Sequence, residues 1–97
     1  MYKEGNGKTH RNLAHIMFNQ HKHGGWLTEC DAKPLYLEWY CQSMKEDTLR
    51  RRFDEMVTGG YASRARRHFH YKTHSVLVRA YKLTKKGEKL LKVKLAA

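Results

Sequence analysis

Between Glu55 and Glu88 the chain has no acidic residue, yet it holds Arg64, Arg66, Arg67, Lys72, Arg79, Lys82, Lys85 and Lys86. Clustered guanidinium and ammonium groups suit one kind of chemistry, the binding of phosphate, because they release the counterions condensed on a polyanion. A second cluster, Arg50-Arg51-Arg52, lies just upstream with Lys45 and Thr48. Residues 1–44 hold five basic and four acidic groups, net +1, whereas residues 45–97 hold fifteen and five, net +10. The formal +11 of this 97-residue chain therefore belongs almost wholly to its second half. Nucleic acid is the partner such a charge implies, ahead of an anionic membrane.

Other chemistries find less support. Cys30 and Cys41 lie near His21 and His23 in sequence, but the paired spacing of zinc ligands is missing on the cysteine side. His68, His70 and His74 read as conditional positive charge rather than as a metal cluster. No glycine-rich phosphate loop, HExxH or GxSxG is present. A chain of 97 residues builds one thin core and leaves little room for a catalytic cavity beside it. The expectation is a protein that is not an enzyme, with no catalytic residues, no metal and no cofactor. Reduced thiols, a polar start and no long apolar run suggest a cytoplasmic or nucleoid-associated protein, or one acting in a host cell if viral.

Periodicity supplies the elements that must position the cations. Residues 1–8 read as a flexible arm and residues 9–97 as one domain. Thr9 is the expected cap of a first helix carrying Leu13, Ile16, Met17 and Gln20 and ending at Gly24-Gly25. Trp26-Leu27 reads as a short extended piece. Because proline cannot lie deep inside a helix, the second helix is expected from near Asp31 to Pro34 as far as Met44. Leu37, Tyr40, Cys41 and Met44 form one apolar stripe, while Tyr36 and Trp39 form a second that could seat a protein partner.

A third helix over 48–58, capped by Asp47 or Thr48, buries Leu49, Phe53 and Met56 and turns Arg51 outward between Arg50 and Arg52. Glu46, Asp54 and Glu55 are candidate ion-pair partners for those arginines. Gly59-Gly60 then leads into a hairpin over 61–83 with Lys72-Thr73-His74 at its tip. Alternation sets Tyr61, Ser63, Ala65, Arg67 and Phe69 on one face, and Arg64, Arg66, His68 and His70 on the other. The run Val76-Leu77-Val78 does not alternate in type, so it is expected to be covered on both sides or to meet another subunit. Thr84 caps a last helix whose Leu90, Leu91 and Leu95 pack on the first helix or on a second copy.

This order of elements resembles the winged helix-turn-helix of MarR, PadR and ArsR-like DNA-binding proteins. The residues that carry the resemblance are Thr48 to Tyr61 and Tyr81-Lys82-Leu83-Thr84-Lys85-Lys86-Gly87. It implies an α+β fold, mainly α, with a three-helix core, a β-hairpin wing and a short C-terminal helix. It further implies sequence-specific binding of double-stranded DNA by a small transcriptional regulator, with helix 48–58 in the major groove and wing 61–83 on the backbone or minor groove. Lys45, Thr48, Arg50, Arg51 and Arg52 would be the recognition-helix contacts. Arg64, Arg66, Arg67, His68, His70, Lys72, His74 and Arg79 would be those of the wing. A homodimer would present two such helices to half-sites about one DNA turn apart. The alternatives are an adaptor or inhibitor of viral or mobile-element type that binds protein through Tyr36 and Trp39, or an RNA-binding winged helix.

Overall fold

The computed structural model describes residues 4–20, 22–71 and 73–92. His21, Lys72 and Leu95 lie outside the described residues, as do the side chains of His23 and His70. Helix α1 runs Glu4–Phe18 and so starts within the stretch expected to be a flexible arm. It also stops short of the glycine pair, which belongs to a separate 3-10 turn over Lys22–Gly25. Asn19 closes α1 by donating its side-chain amide to the His15 carbonyl at 2.8 Å. Leu13, Ala14, Ile16 and Met17 are buried, because α1 is touched by the next two helices, by the sheet and by the C-terminal turn.

Strand β1 is only Leu27–Thr28, and helix α2 follows directly over Glu29–Tyr40. The Thr28 hydroxyl accepts from the Asp31 amide at 3.2 Å, an N-cap several residues ahead of the expected start. Pro34 therefore lies inside the helix. The first-turn amides have no helical partner in any case, so what the proline removes is one bond just beyond that turn. The helix ends at Tyr40, four residues earlier than expected, where Cys41 takes a left-handed conformation (φ 53°) and donates its amide to the Leu37 carbonyl at 2.9 Å.

The expected aromatic partner surface on α2 does not form. Tyr36 is 1% exposed and sits in the core, where its hydroxyl accepts from the Asn12 side chain at 3.0 Å. Tyr40 donates to the Asn12 carbonyl at 3.2 Å, so the buried Asn12 is satisfied by the helix that covers it. Leu37 and Trp39 are exposed, but at about 100° per residue they point about 160° apart around the helix and share no patch.

Helix α3 runs Glu46–Thr58, with Lys45 at the N-cap and no side-chain cap bond. Asp47 and Thr48, expected as caps, instead occupy the first turn, where the acidic Glu46 and Asp47 suit the positive end of the helix dipole. Leu49, Phe53 and Met56 are its buried stripe, as the spacing predicts. The Phe53 ring stacks on Tyr81 at 4.1 Å and 4°. That contact joins α3 to the sheet, and a fully buried Phe contributes about 1.5–3 kcal/mol.

Strands β2 (Ala62–Tyr71) and β3 (His74–Leu83) form a long antiparallel hairpin, and β1 pairs on the far side of β3. Tyr71 faces His74, so the loop is one residue shorter than expected. Ala65 faces Ala80, Arg66 faces Arg79 and His68 faces Leu77. Strand alternation therefore holds through the apolar run. Val78 is buried and Val76 packs beside it in a small cluster with Phe69, Ala80 and Trp26, whereas Leu77 points the other way and is exposed. The chain closes with α4 (Lys85–Glu88) and a 3-10 turn to Lys92. Thr84 caps α4 by accepting from the Gly87 amide at 3.0 Å. Leu90 joins the main core, which settles the first of its two expected roles.

Candidate nucleic-acid interface

The hairpin and α3 present adjoining surfaces, joined by an ion pair. The hairpin face that carries Ala62 and Tyr81 packs against the helices, and the alternate residues further out on the same face are Arg64, Arg66, His68, Leu77 and Arg79. Arg64 donates to Asp54 of α3 at 3.0 Å, tying this face to the outward side of the helix. Arg66 and His68 are exposed and Arg79 is half-buried. On α3 the stripe opposite the core holds Asp47, Arg51, Asp54 and Thr58 at helical spacing. Arg51 is exposed and makes no ion pair among the described residues.

The arginines flanking Arg51 are engaged. Arg50 donates to Glu29 of α2 through Nε at 3.3 Å and a terminal nitrogen at 3.1 Å. That bond, with the charge of Glu29, raises the guanidinium's pKa further. Both ends are solvated, so the pair is weak and exchangeable. Arg52 is different. Its side chain is only 13% exposed and clamps both oxygens of Glu55 at 2.9 and 2.8 Å. The guanidinium expected on an outward flank is thus turned back into the fold. Lys45 is exposed at the N-cap and Thr48 is half-buried in the first turn.

Arg67 falls on the opposite face of the hairpin, away from Arg64, Arg66 and Arg79. It lies 5.9 Å from the Trp26 ring centre, and Lys82 lies 6.0 Å from the same ring. His74, exposed at the start of β3, shares that face by register. The expected wing contacts do not include Lys82, and the sequence alone gives Trp26 and Glu29 no part in this surface. Strand parity could have placed Lys82 with Arg67, but nothing local links Glu29 to Arg50 across 21 residues.

Glu55 also anchors α1. The buried His10 meets it through Nε2 at 2.8 Å. Burial lowers the His10 pKa below its ordinary 6.5, outweighing the upward pull of Glu55, so the imidazole is neutral and its Nε2–H donates. For Glu55, burial raises the carboxyl, but the hydrogen bonds from His10 and Arg52 win and the net shift is downward from 4.5. Both shifts have one sign for stability. Between the ordinary and the folded pKa the unfolded chain holds more protons, so stability falls as pH drops. Urea titrations across pH should give a plateau just above 6.5, a first decline below it, and a second below 4.5. His10→Gln should erase the first decline and leave the second.

Cys30 and Cys41 are exposed and unbridged. Burial, followed by the charges of Glu29, Asp31 and Glu46, raises the Cys30 pKa and keeps the thiol protonated. Among the described residues no three His, Cys, Asp or Glu side chains are grouped to hold a metal, and no helix is long and apolar enough to cross a membrane.

A helical core, a helix–turn–helix formed by α2 and α3, and a β2–β3 wing rooted on α3 define the winged helix-turn-helix class. A solved structure with this fold is the "putative transcriptional regulator TA0346 from Thermoplasma acidophilum", which superposes with a TM-score of 0.72 over 94% of this chain and 79% of that one, at 12% identity. The likeness is to the fold as a whole and singles out none of the MarR, PadR or ArsR groups. No protein-family model matches the chain, and no curated protein matches it.

Proposed function

We propose that the protein is a small transcriptional regulator that binds double-stranded DNA in a sequence-specific way, with α3 in the major groove and the wing on the flanking backbone or minor groove. The observation that carries this reading is the cross-strand pair Arg66 and Arg79, on the same face as Arg64. Like charges directly opposite each other destabilise a sheet, and a phosphate between them turns that cost into attraction.

Helix α3 suits a different task. Its outward stripe mixes Arg51 with Asp47, Asp54 and Thr58, a poor surface for phosphate but a fitting one for base edges, which offer both donors and acceptors. The wing then supplies affinity and the helix supplies choice, the usual division between phosphate and base contacts. Lys45 and Thr48 belong to the helix contacts, and Arg50 joins them on leaving Glu29. Arg52 is assigned to the fold, and Arg67 to the far side of the wing. Catalysis has no place in this reading. A homodimer, presenting two α3 helices to paired half-sites, is part of the proposal.

Selection from a random duplex pool tests it directly. The wild type should enrich one motif, and Arg51→Ala should flatten the preference at one base pair by about 1–3 kcal/mol while leaving the salt dependence nearly intact. A wild-type protein that enriches no duplex, or prefers structured RNA in competition, sinks the reading. The adaptor alternative loses its proposed surface, since Tyr36 is in the core.

A further inference from the structure

Leu77 is 49% exposed in the middle of a surface that is otherwise cationic. It faces His68 across the hairpin, stands two residues from Arg79 along its own strand, and lies diagonal to Arg66. Its neighbours Val76 and Val78 turn to the opposite face and are packed there with Phe69 and Trp26. The exposure of Leu77 is therefore not a frayed end, since the strand on either side of it is anchored. Nor does a second copy suit the position, because it would bring its own Arg66 and Arg79 against the first pair.

What lies beside phosphate on DNA and is itself apolar is the deoxyribose. We infer that Leu77 packs on the sugar carbons of the strand whose phosphates Arg66 and Arg79 hold, and that it thereby sets a preference for DNA over RNA. The inference rests on the DNA-binding reading and deepens it. In RNA the same sugar edge carries a 2′-hydroxyl, in a minor groove of different width, and a hydroxyl pressed against leucine loses its water without gaining a partner.

The test uses one short mixed-sequence duplex prepared as DNA and as RNA, titrated at the same low salt with wild type, Leu77→Ser and Leu77→Met. Half-burial of one leucine predicts that Leu77→Ser binds DNA about fivefold more weakly, with RNA binding unchanged or tighter and Leu77→Met close to wild type. Equal losses on the two duplexes, or no loss on either, overturn the inference and leave the DNA-binding reading standing. So does a Leu77→Ser protein that loses only self-association. A wild type that binds no DNA overturns the parent reading, and this one with it.

Discussion

Arg79→Glu should leave the protein at least as stable as wild type while weakening its binding to duplex DNA by about a hundredfold. The two effects have opposite causes at one site. In the free protein Arg79 faces Arg66 across the hairpin, and exchanging a like-charge pair for an opposite-charge pair is worth roughly 0.2–1 kcal/mol in favour of the fold. In the complex the same exchange removes one phosphate ligand and diverts a second into an internal ion pair. Charge-assisted hydrogen bonds are worth about 1.5–3 kcal/mol each, so losing two costs on the order of a hundredfold or more in affinity. The slope of log affinity against log salt should also shallow by nearly two counterions. Thermal melting and fluorescence titration at several salt concentrations measure all three quantities. If stability falls along with affinity, Arg79 is a structural residue and the phosphate-clamp argument fails; unchanged affinity places DNA elsewhere.

The carboxylates around the site bear on how such a clamp engages. Glu29 and Asp54 hold Arg50 and Arg64 at 3.1 and 3.0 Å, and all four side chains are well solvated. Exposed pairs of this kind contribute little to stability, so a polyanion can take either arginine from its carboxylate at small cost. In the Arg52–Glu55 pair the arginine side chain is only 13% exposed and the carboxylate is shared with His10, so it gives up its arginine less readily.

Local patterning made part of this architecture legible. The Leu49, Phe53 and Met56 stripe follows helical spacing, the hairpin faces follow period two, and Arg52 with Glu55 sit at i,i+3. The α2 boundaries differ from those expected because Thr28-Glu29-Cys30-Asp31, a Ser/Thr-x-x-Asp capping signal, starts the helix ahead of Pro34. Tyr36 looked like surface because the group that satisfies its hydroxyl, Asn12, lies 24 residues away. The inward turn of one arginine and the outward turn of its neighbour likewise depend on partners set by tertiary packing. Alternation in side-chain type was also the wrong guide at Val76-Leu77-Val78. The backbone alternates there regardless, and one apolar side chain is left exposed.

The root of the wing depends on a close approach that residue propensity would not suggest. Gly60 takes φ 82°, the left-handed conformation open to glycine, to end α3. Gly87 is buried in α4 for a different reason, which is space. A Cβ there would collide with the Tyr61 carbonyl oxygen and stand 2.7 Å from Leu83 Cδ1. That carbonyl cannot easily retreat, because it accepts the Thr84 amide at 3.2 Å while the Tyr61 amide donates to Met56 at 2.8 Å. Thr84 and Lys86 add bonds to the Gly60 and Gly59 carbonyls at 2.6 and 2.8 Å, and the Lys86 ammonium lies 4.8 Å from the Tyr61 ring centre. On propensity alone, Gly87→Ala should stabilise a helix by about 1 kcal/mol. Overpacking together with broken hydrogen bonds should instead destabilise the protein by about 3 kcal/mol or more, which lowers Tm by roughly 12 °C in a domain of this size. Lys85→Ala, two residues away and exposed, should stay within about 0.5 kcal/mol of wild type. A Gly87→Ala protein that melts at or above the wild-type temperature would mean that α4 is not seated on Tyr61. The wing would then lose the brace that fixes its angle to α3, and with it the arrangement of Arg51, Arg66 and Arg79 that the proposed DNA contact requires.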